Sequence, residues 1–202
     1  MNFADFQEAL QRRADLLGVA LAPESLESLF RYFELLRRWN AKINLTALPL
    51  DNPTPETLDR LLLQPLQVAA KLPDRPLCWF DLGSGGGSPA IPIKLVRPQL
   101  SLTMVESRAR KAAFLQEALR ALGLVGRVEN VRFEELIHRG DLSGVADLIT
   151  VRAVKIDEKF LQFCAYLLKD RGLFVPMGFE GPAPYGFISD PQSGFLYRHC
   201  ST

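Results

Sequence analysis

The sequence predicts an α/β fold: a mainly parallel seven-stranded sheet with helices on both faces and a helical cap ahead of it. Three observations carry this. Helical apolar spacing runs through residues 1 to 71; from residue 77 short apolar runs alternate with helical patterns; and the first of these runs ends in a glycine-rich turn, FDLGSGGGSPAIPI (Phe80 to Ile93). Strands alternating with helices argue for a parallel sheet covered on both faces.

In the cap, Phe3, Phe6, Leu10 and Leu17 fall at near-helical spacing. LAPESLESLFRYFELLRRWN follows, with Pro23 and an acid at its start, both helix-start signals. Leu26, Leu29, Phe30, Phe33 and Leu36 form its apolar stripe, a core-packing face. A third helix starts near Pro55 with Thr54 as its cap and meets Pro65 partway. The division expected is a helical cap over 1–71 and a sheet domain over 72–202. In that domain LCWFDL, SLTMVE, VGRVENV, ADLITVRA and RGLFVPMG read as five strands. Arg108 to Leu122 and Glu158 to Leu168 read as helices between them. At the C-terminal end YGFI and GFLY flank DPQS, which reads as the turn of an antiparallel hairpin and completes seven strands.

Composition narrows the function classes. The 202 residues are 48% apolar and 23% charged, which suits a soluble chain with one sizeable core. No apolar run reaches the roughly 18 to 20 residues that span a bilayer, and MNFADFQEALQRRADLL carries acids where a signal peptide needs an apolar stretch. A cytoplasmic location and no membrane partner are expected. Cys78, Cys164 and Cys200 form no CxxC pair, His138 lies far from any cysteine and His199 adjoins Cys200 alone, so neither a metal site nor a Ser-His-Asp triad is expected. The net charge of +1 does not advertise a nucleic-acid binder, yet basic residues cluster at Arg12–Arg13, at Arg37, Arg38 and Lys42, and at Arg108, Arg110 and Lys111.

The glycine loop lies where a strand meets a helix, the usual ligand position of an open sheet. Gly83, Gly85 and Gly87 let a ligand approach the backbone, with Ser88 where a dinucleotide site wants Gly or Ala. Asp81, two residues before Gly83, would repel a pyrophosphate and favours a cationic cofactor. S-adenosylmethionine, with a sulfonium, an ammonium and no phosphate, fits that arrangement better than NAD. Glu106 ends the second strand about twenty residues on, where an acid accepts ribose hydroxyls. The fold expected is therefore the Rossmann-like fold of class I methyltransferases that use S-adenosylmethionine. No Asn/Asp-Pro-Pro-aromatic loop for an exocyclic amine, no Pro-Cys nucleophile and no Lys-Asp-Lys-Glu set is present. An acceptor that needs little activation remains, such as guanine N7, whose free lone pair requires positioning rather than a general base.

Further along the chain, Gly87-Ser88-Pro89-Ala90-Ile91-Pro92 resembles the Gly-Leu-Pro-Gly-Ile-Pro of the GidB family, also called RsmG, bacterial enzymes that methylate guanine N7 in 16S rRNA. Trp39-Asn40 with Asn44-Leu45-Thr46, Arg110-Lys111 with Phe114-Leu115, Arg132-Phe133-Glu134-Glu135, and Val151-Arg152-Ala153 resemble that family's other motifs, in order, over about residues 30 to 178. The resemblance implies that Gly83 and Ser88 line the cofactor's methionine end, that Phe133 and Glu134 border the adenine and that Arg152 faces cofactor and substrate; with the loop and strand-end residues read above, the candidate cofactor site is Asp81, Gly83, Ser84, Gly85, Gly87, Ser88, Glu106, Phe133, Glu134 and Arg152. The resemblance gives Arg152 the role of positioning substrate, with no general base. Arg108, Arg110, Lys111 and Arg132 are the candidate RNA contacts, on 16S rRNA or the small ribosomal subunit, and a monomer is expected. The chain departs from the family at Arg60-Leu61-Leu62-Leu63-Gln64-Pro65, where the family has Arg-His-x-x-Asp-Ser, and at Met177, where it often has lysine. A methyltransferase acting on a small molecule or protein, and a cofactor-binding module without catalysis, are the rival readings. A dinucleotide oxidoreductase is disfavoured by Asp81 and Ser88.

Overall fold

The computed structural model describes residues 1–138, 142–179, 182–184, 186–190 and 192–198. His199 and Cys200 lie outside them, as do Tyr185 and Pro191 of the expected hairpin.

The helices α1 (Phe3–Leu17) and α2 (Pro23–Asn40) come first. Phe6, Leu10 and Ala14 are the buried positions of α1, one per turn at i, i+4 and i+8. Phe3 and Leu17, expected in the same stripe, stay 39% and 37% exposed, because they are the first and last residues of the helix. Asn2 caps α1 by accepting from the Asp5 amide at 2.9 Å. Along α2, Leu26, Leu29, Phe33 and Leu36 are buried as expected, whereas Phe30 is half-buried and meets the rings of Phe3 and Phe6.

The third helical segment is one run with a defect in it: α3 (Pro55–Leu58), a π-helical stretch (Asp59–Leu63) and α4 (Gln64–Lys71). Thr54 caps it in a reciprocal capping box with Thr57. Pro65 explains the defect. It offers no N–H, and the Gln64 amide bonds the carbonyl of Asp59 rather than that of Arg60. The carbonyls of Arg60 and Leu61 therefore lack their α-helical donors, the amides of residues 64 and 65.

The sheet holds β1 (Cys78–Leu82), β2 (Ser101–Val105), β3 (Gly126–Glu129), β4 (Ala146–Arg152), β5 (Leu168–Met177), β6 (Phe187–Ser189) and β7 (Leu196–Arg198) in the order β3-β2-β1-β4-β5-β7-β6. The first five are mutually parallel; β7 runs antiparallel to both β5 and β6. The helices α5 (Ala90–Val96), α6 (Ala109–Ala121), α7 (Phe133–Leu136) and α8 (Glu158–Leu167) connect the strands.

Strand alternation divides the core in two. Trp79, Leu102, Met104, Leu148, Leu173 and Val175 face α1, α2, α4, α5 and α6, and share one apolar cluster with them. Phe80, Leu82, Val105, Ile149, Val151 and Phe174 face the other way, onto α7 and α8. The helices of residues 1–71, together with α5 and α6, thus cover one face of the sheet. The same alternation puts Asp81, Thr150, Arg152 and Met177 on that covered face, an even number of residues along their strands from Trp79, Leu148 and Val175. This register builds the site.

Candidate active site

The glycine loop turns over the carboxyl end of β1. Amides of Gly83 and Ser84 donate to the carbonyl of Val105 at 2.8 and 3.1 Å, which ties the loop to the end of β2. The Ser84 hydroxyl donates to the Asp81 carbonyl at 2.9 Å, and the Gly87 amide to the Ser84 carbonyl at 2.7 Å. Gly83 has φ +73°, and a Cβ there would lie 2.5 Å from Cγ2 of Val154. Gly87 has φ +85° and backs onto Ile91 and Leu115; its missing side chain lets the loop pack on α5 and α6 rather than admitting a ligand. Tyr32 of α2 fastens the loop from the cap side, its hydroxyl donating to the Gly86 carbonyl at 2.7 Å.

Two adjoining cavities open above this loop. The larger, about 640 Å³, is bounded by Ser84, Gly85, Gly86 and Ser88 of the loop, by Arg108, Lys111 and Arg152, and by the segment Asn44–Leu48. The smaller, about 250 Å³, lies at the carboxyl ends of β1 and β2 and is lined by Val131, Arg132, Phe133, Glu134 and Phe160. Gly83, Glu106 and Val154 belong to both walls. Glu106, 7% exposed, stands at the junction. Its carboxylate accepts from the Arg108 amide at 2.8 Å and the Gly85 amide at 2.9 Å, so the loop and the turn after β2 hold it in one orientation. Each of its oxygens keeps lone-pair capacity for a further donor.

Asp81 is not in either wall. It is 1% exposed beneath the loop, beside its register partner Thr150, because odd positions of β1 point under the cap. A buried chain runs from the Trp79 indole N–H to the Thr150 hydroxyl (2.9 Å) and from that hydroxyl to Oδ1 of Asp81 (2.5 Å). Oδ2 is buried without a partner. Burial pushes the carboxyl up to about 6, against the pull of its hydrogen bonds and of Arg152. Asp81, expected in the cofactor site, lies under the floor of the cavity rather than in its wall.

Arg152 closes β4 and reaches the cap. Nη1 donates to the Arg60 carbonyl and to Ser88 Oγ (3.2 Å); Nη2 donates to Gln64 Oε1 (3.1 Å) and meets Met177 Sδ at 3.4 Å. The Ser88 hydroxyl in turn donates to the Leu61 carbonyl at 2.9 Å. Both carbonyls are those released by the π-helical stretch and Pro65. Gln64 and Met177, two of the departures from the family pattern, thus meet at one guanidinium. Among the described residues no carboxylate lies within ion-pair distance of Arg152. Burial lowers its pKa to about 10, with Arg60 adding to the effect, and the group stays charged at neutral pH.

The structure therefore gathers Gly83, Ser84, Gly85, Ser88, Glu106, Arg108, Lys111 and Arg152 around the larger cavity. Phe133, Glu134 and Arg132 stand on the smaller one. Arg132 is separated there from the other candidate RNA contacts, since it caps α7 instead of lying on α6. Arg110 points to a different groove, between α2 and α6. Val154, Gly86 and the wall Asn44–Leu48 were not among the expected site residues. The signal for the wall lay in Trp39-Asn40 and Asn44-Leu45-Thr46: Asn40 Oδ1 accepts from the amides of Leu45 (2.8 Å) and Thr46 (3.0 Å) and pins that segment beside the loop. No group of His, Cys, Asp and Glu residues among those described is arranged to hold a metal.

Comparison with known proteins agrees with this geometry. A solved coclaurine N-methyltransferase, bound to N-methylheliamine and SAH, superposes with a TM-score of 0.51 at 15% identity over 86% of this chain and 59% of that one, which establishes the shared fold. A ribosomal RNA small subunit methyltransferase G of Stenotrophomonas maltophilia is 37% identical over 90% of this chain and 79% of its own. The protein of the same name from Neisseria meningitidis is 34% identical over 90% and 83%. The family model described as GidB, rRNA small subunit methyltransferase G, matches residues 25–179. With the loop, the two-part cavity and the Asn40-pinned wall all inside that match, this chain belongs to the GidB family of rRNA small subunit methyltransferases.

Proposed function

We propose that this protein transfers a methyl group from S-adenosylmethionine to N7 of a guanine in 16S rRNA of the small ribosomal subunit. The observation that carries the reading is the two-part cavity with Glu106 on its dividing wall, in a chain of this family. The residues fit the cofactor on three counts. The smaller cavity has an apolar lining, Val131, Phe133 and Phe160, suited to adenine. Glu106 is fixed where ribose hydroxyls can donate to it. The unpartnered Asp81 Oδ2 puts negative charge beneath the loop, where a cationic ligand is favoured.

The chemistry that the cofactor supplies when bound is an electrophilic methyl group on a sulfonium. The protein's part is orientation. Phe133, held edge-on to Phe160 at 5.2 Å, and Glu134, near Lys159, border the adenine end. Gly83, Ser84 and Gly85 leave room for the methionine end. Arg152, its fork set by Arg60, Ser88 and Gln64, presents positive charge between cofactor and acceptor and holds an anionic group there. Neither cavity wall offers a histidine or cysteine, and N7 needs no proton removed, so rate enhancement comes from alignment. Residues 1–71 serve as the cap over this site and residues 72–202 as the methyltransferase domain. The protein works in the cytoplasm as a monomer on this reading; no helix among the described residues is long and apolar enough to cross a membrane.

A changed acceptor is the second reading, favoured by the neutral Gln64 and Met177 around Arg152. The test is incubation with labelled cofactor and small ribosomal subunits lacking N7 methylation, followed by mapping of the label. Label at a single guanine N7 is expected. Intact cofactor binding with no label on the subunits would overturn the rRNA assignment.

A further inference from the structure

Outside the cofactor cavities, a groove of about 510 Å³ runs between α2 and α6. Its apolar lining comes from Leu35, the half-buried Trp39 and Ile43; its charged lining from Arg38, Lys42 and Arg110, all three exposed. Two basic clusters that are seventy residues apart in sequence meet here. Their neighbours are neutralised: Arg37 pairs with Glu34 and Asp51, and Arg120 pairs with Glu117, the acid on the groove rim. Arg38, by contrast, donates to the backbone carbonyl of Glu34, and among the described residues none of Arg38, Lys42 and Arg110 is in an ion pair. Cations left uncompensated around an aromatic floor are a site for an anion that carries flat apolar groups. Lys111, next to Arg110, lines the larger cofactor cavity, so the groove and the reaction site meet at the first turn of α6.

We propose that this groove is a second nucleotide subsite: it takes single-stranded RNA flanking the methylated base, one nucleobase against Trp39 and Ile43 and phosphates on Arg38, Lys42 and Arg110. The inference rests on the rRNA reading above and extends it to a surface outside the reaction cavity. Base stacking on an aromatic side chain with basic residues tracking the backbone is the general means of holding single strands. The volume lies in the range of small-molecule and nucleobase pockets.

The experiment compares the unchanged protein with a triple variant, Arg38→Gln, Lys42→Gln and Arg110→Gln, in binding a labelled single-stranded RNA oligonucleotide across a salt series. If each cation meets one phosphate, the slope of log K against log salt becomes shallower by about 2, and affinity at physiological salt falls on the order of 50-fold. Cofactor affinity stays unchanged, since none of the three lines the cofactor cavities, and this also reports that the variant is folded. A second readout uses tryptophan fluorescence. Trp79 is fully buried, so RNA-dependent quenching should come from Trp39 and vanish in Trp39→Phe. Equal RNA affinity and salt slope in the triple variant, with small subunits methylated as fast as by the unchanged protein, would overturn the groove and leave the rRNA activity standing. An unchanged protein that binds cofactor but neither binds the RNA nor labels small subunits would overturn both.

Discussion

Asp81 makes stability and cofactor affinity depend on pH in opposite senses, and replacing it with asparagine isolates both effects. Its carboxyl is raised from 3.8 to about 6, chiefly by burial. A carboxyl whose pKa is higher folded than unfolded keeps its proton longer in the folded state. Between about pH 4 and 6 the unfolded chain loses that proton first, so stability falls as pH rises through this window and the full penalty is present above it. At about 1.4 kcal/mol per pKa unit, the penalty at pH 7 is about 3 kcal/mol. In Asp81→Asn the pH-dependent part disappears. The amide keeps an oxygen for the Thr150 hydroxyl, and its nitrogen, placed where Oδ2 has no partner, adds a pH-independent cost of about 1–3 kcal/mol. A cationic ligand above the floor stabilises ionised Asp81, so affinity for S-adenosylmethionine should rise between pH 5 and 7 in the unchanged protein and stay flat in the variant. Denaturant unfolding of both proteins from pH 4 to 8, with cofactor titrations at the same points, measures the two profiles. Stability curves that run parallel across the window would show that Asp81 is not a buried, reluctantly ionised group, and the account of the cavity floor would fail with it.

Arg152→Lys keeps the charge but not the fork that spans Arg60, Ser88 and Gln64; methyl transfer should fall by about 100-fold or more while stability drops only about 1–2 kcal/mol, and losses of equal free energy in both would mark the residue as structural. Asn40→Ala frees the Leu45 and Thr46 amides, so the wall Asn44–Leu48 should exchange amide hydrogens faster, with stability lower by about 1–2 kcal/mol and weaker cofactor binding; unchanged exchange there refutes the pinning. Gly83→Ala adds about 1–2 kcal/mol of left-handed strain and a contact with Val154 at 2.5 Å, so cofactor affinity should drop about tenfold or more and partly return in Gly83→Ala with Val154→Ala; no recovery in the double variant would mean that Val154 does not bound the site.

Much of the molecule is written in local patterns. The helical stripe of α2, the Thr54 cap, the five parallel strands and the terminal hairpin follow from periodicity and turn chemistry, which act over a few residues. The glycine loop and Glu106 are legible because a cofactor's demands fall at fixed spacing around one strand-turn-helix unit. Proline at 65 announced a fault in a helix.

What the fault was for needed the fold. Only the tertiary structure shows that the carbonyls of Arg60 and Leu61 are taken by Arg152 and Ser88, which lie 92 and 27 residues further along the chain. The same holds for Asp81: its sequence position says strand end, but strand parity and the covering cap put it under the cavity rather than in it. Arg38, Lys42 and Arg110 meet in one groove only because α2 packs beside α6. Periodicity specifies which face of an element is apolar; it does not specify which distant element covers that face. The burial of Asp81, the setting of Arg152 and the meeting of the two basic clusters are all decided by that choice, through packing of the sheet against the cap.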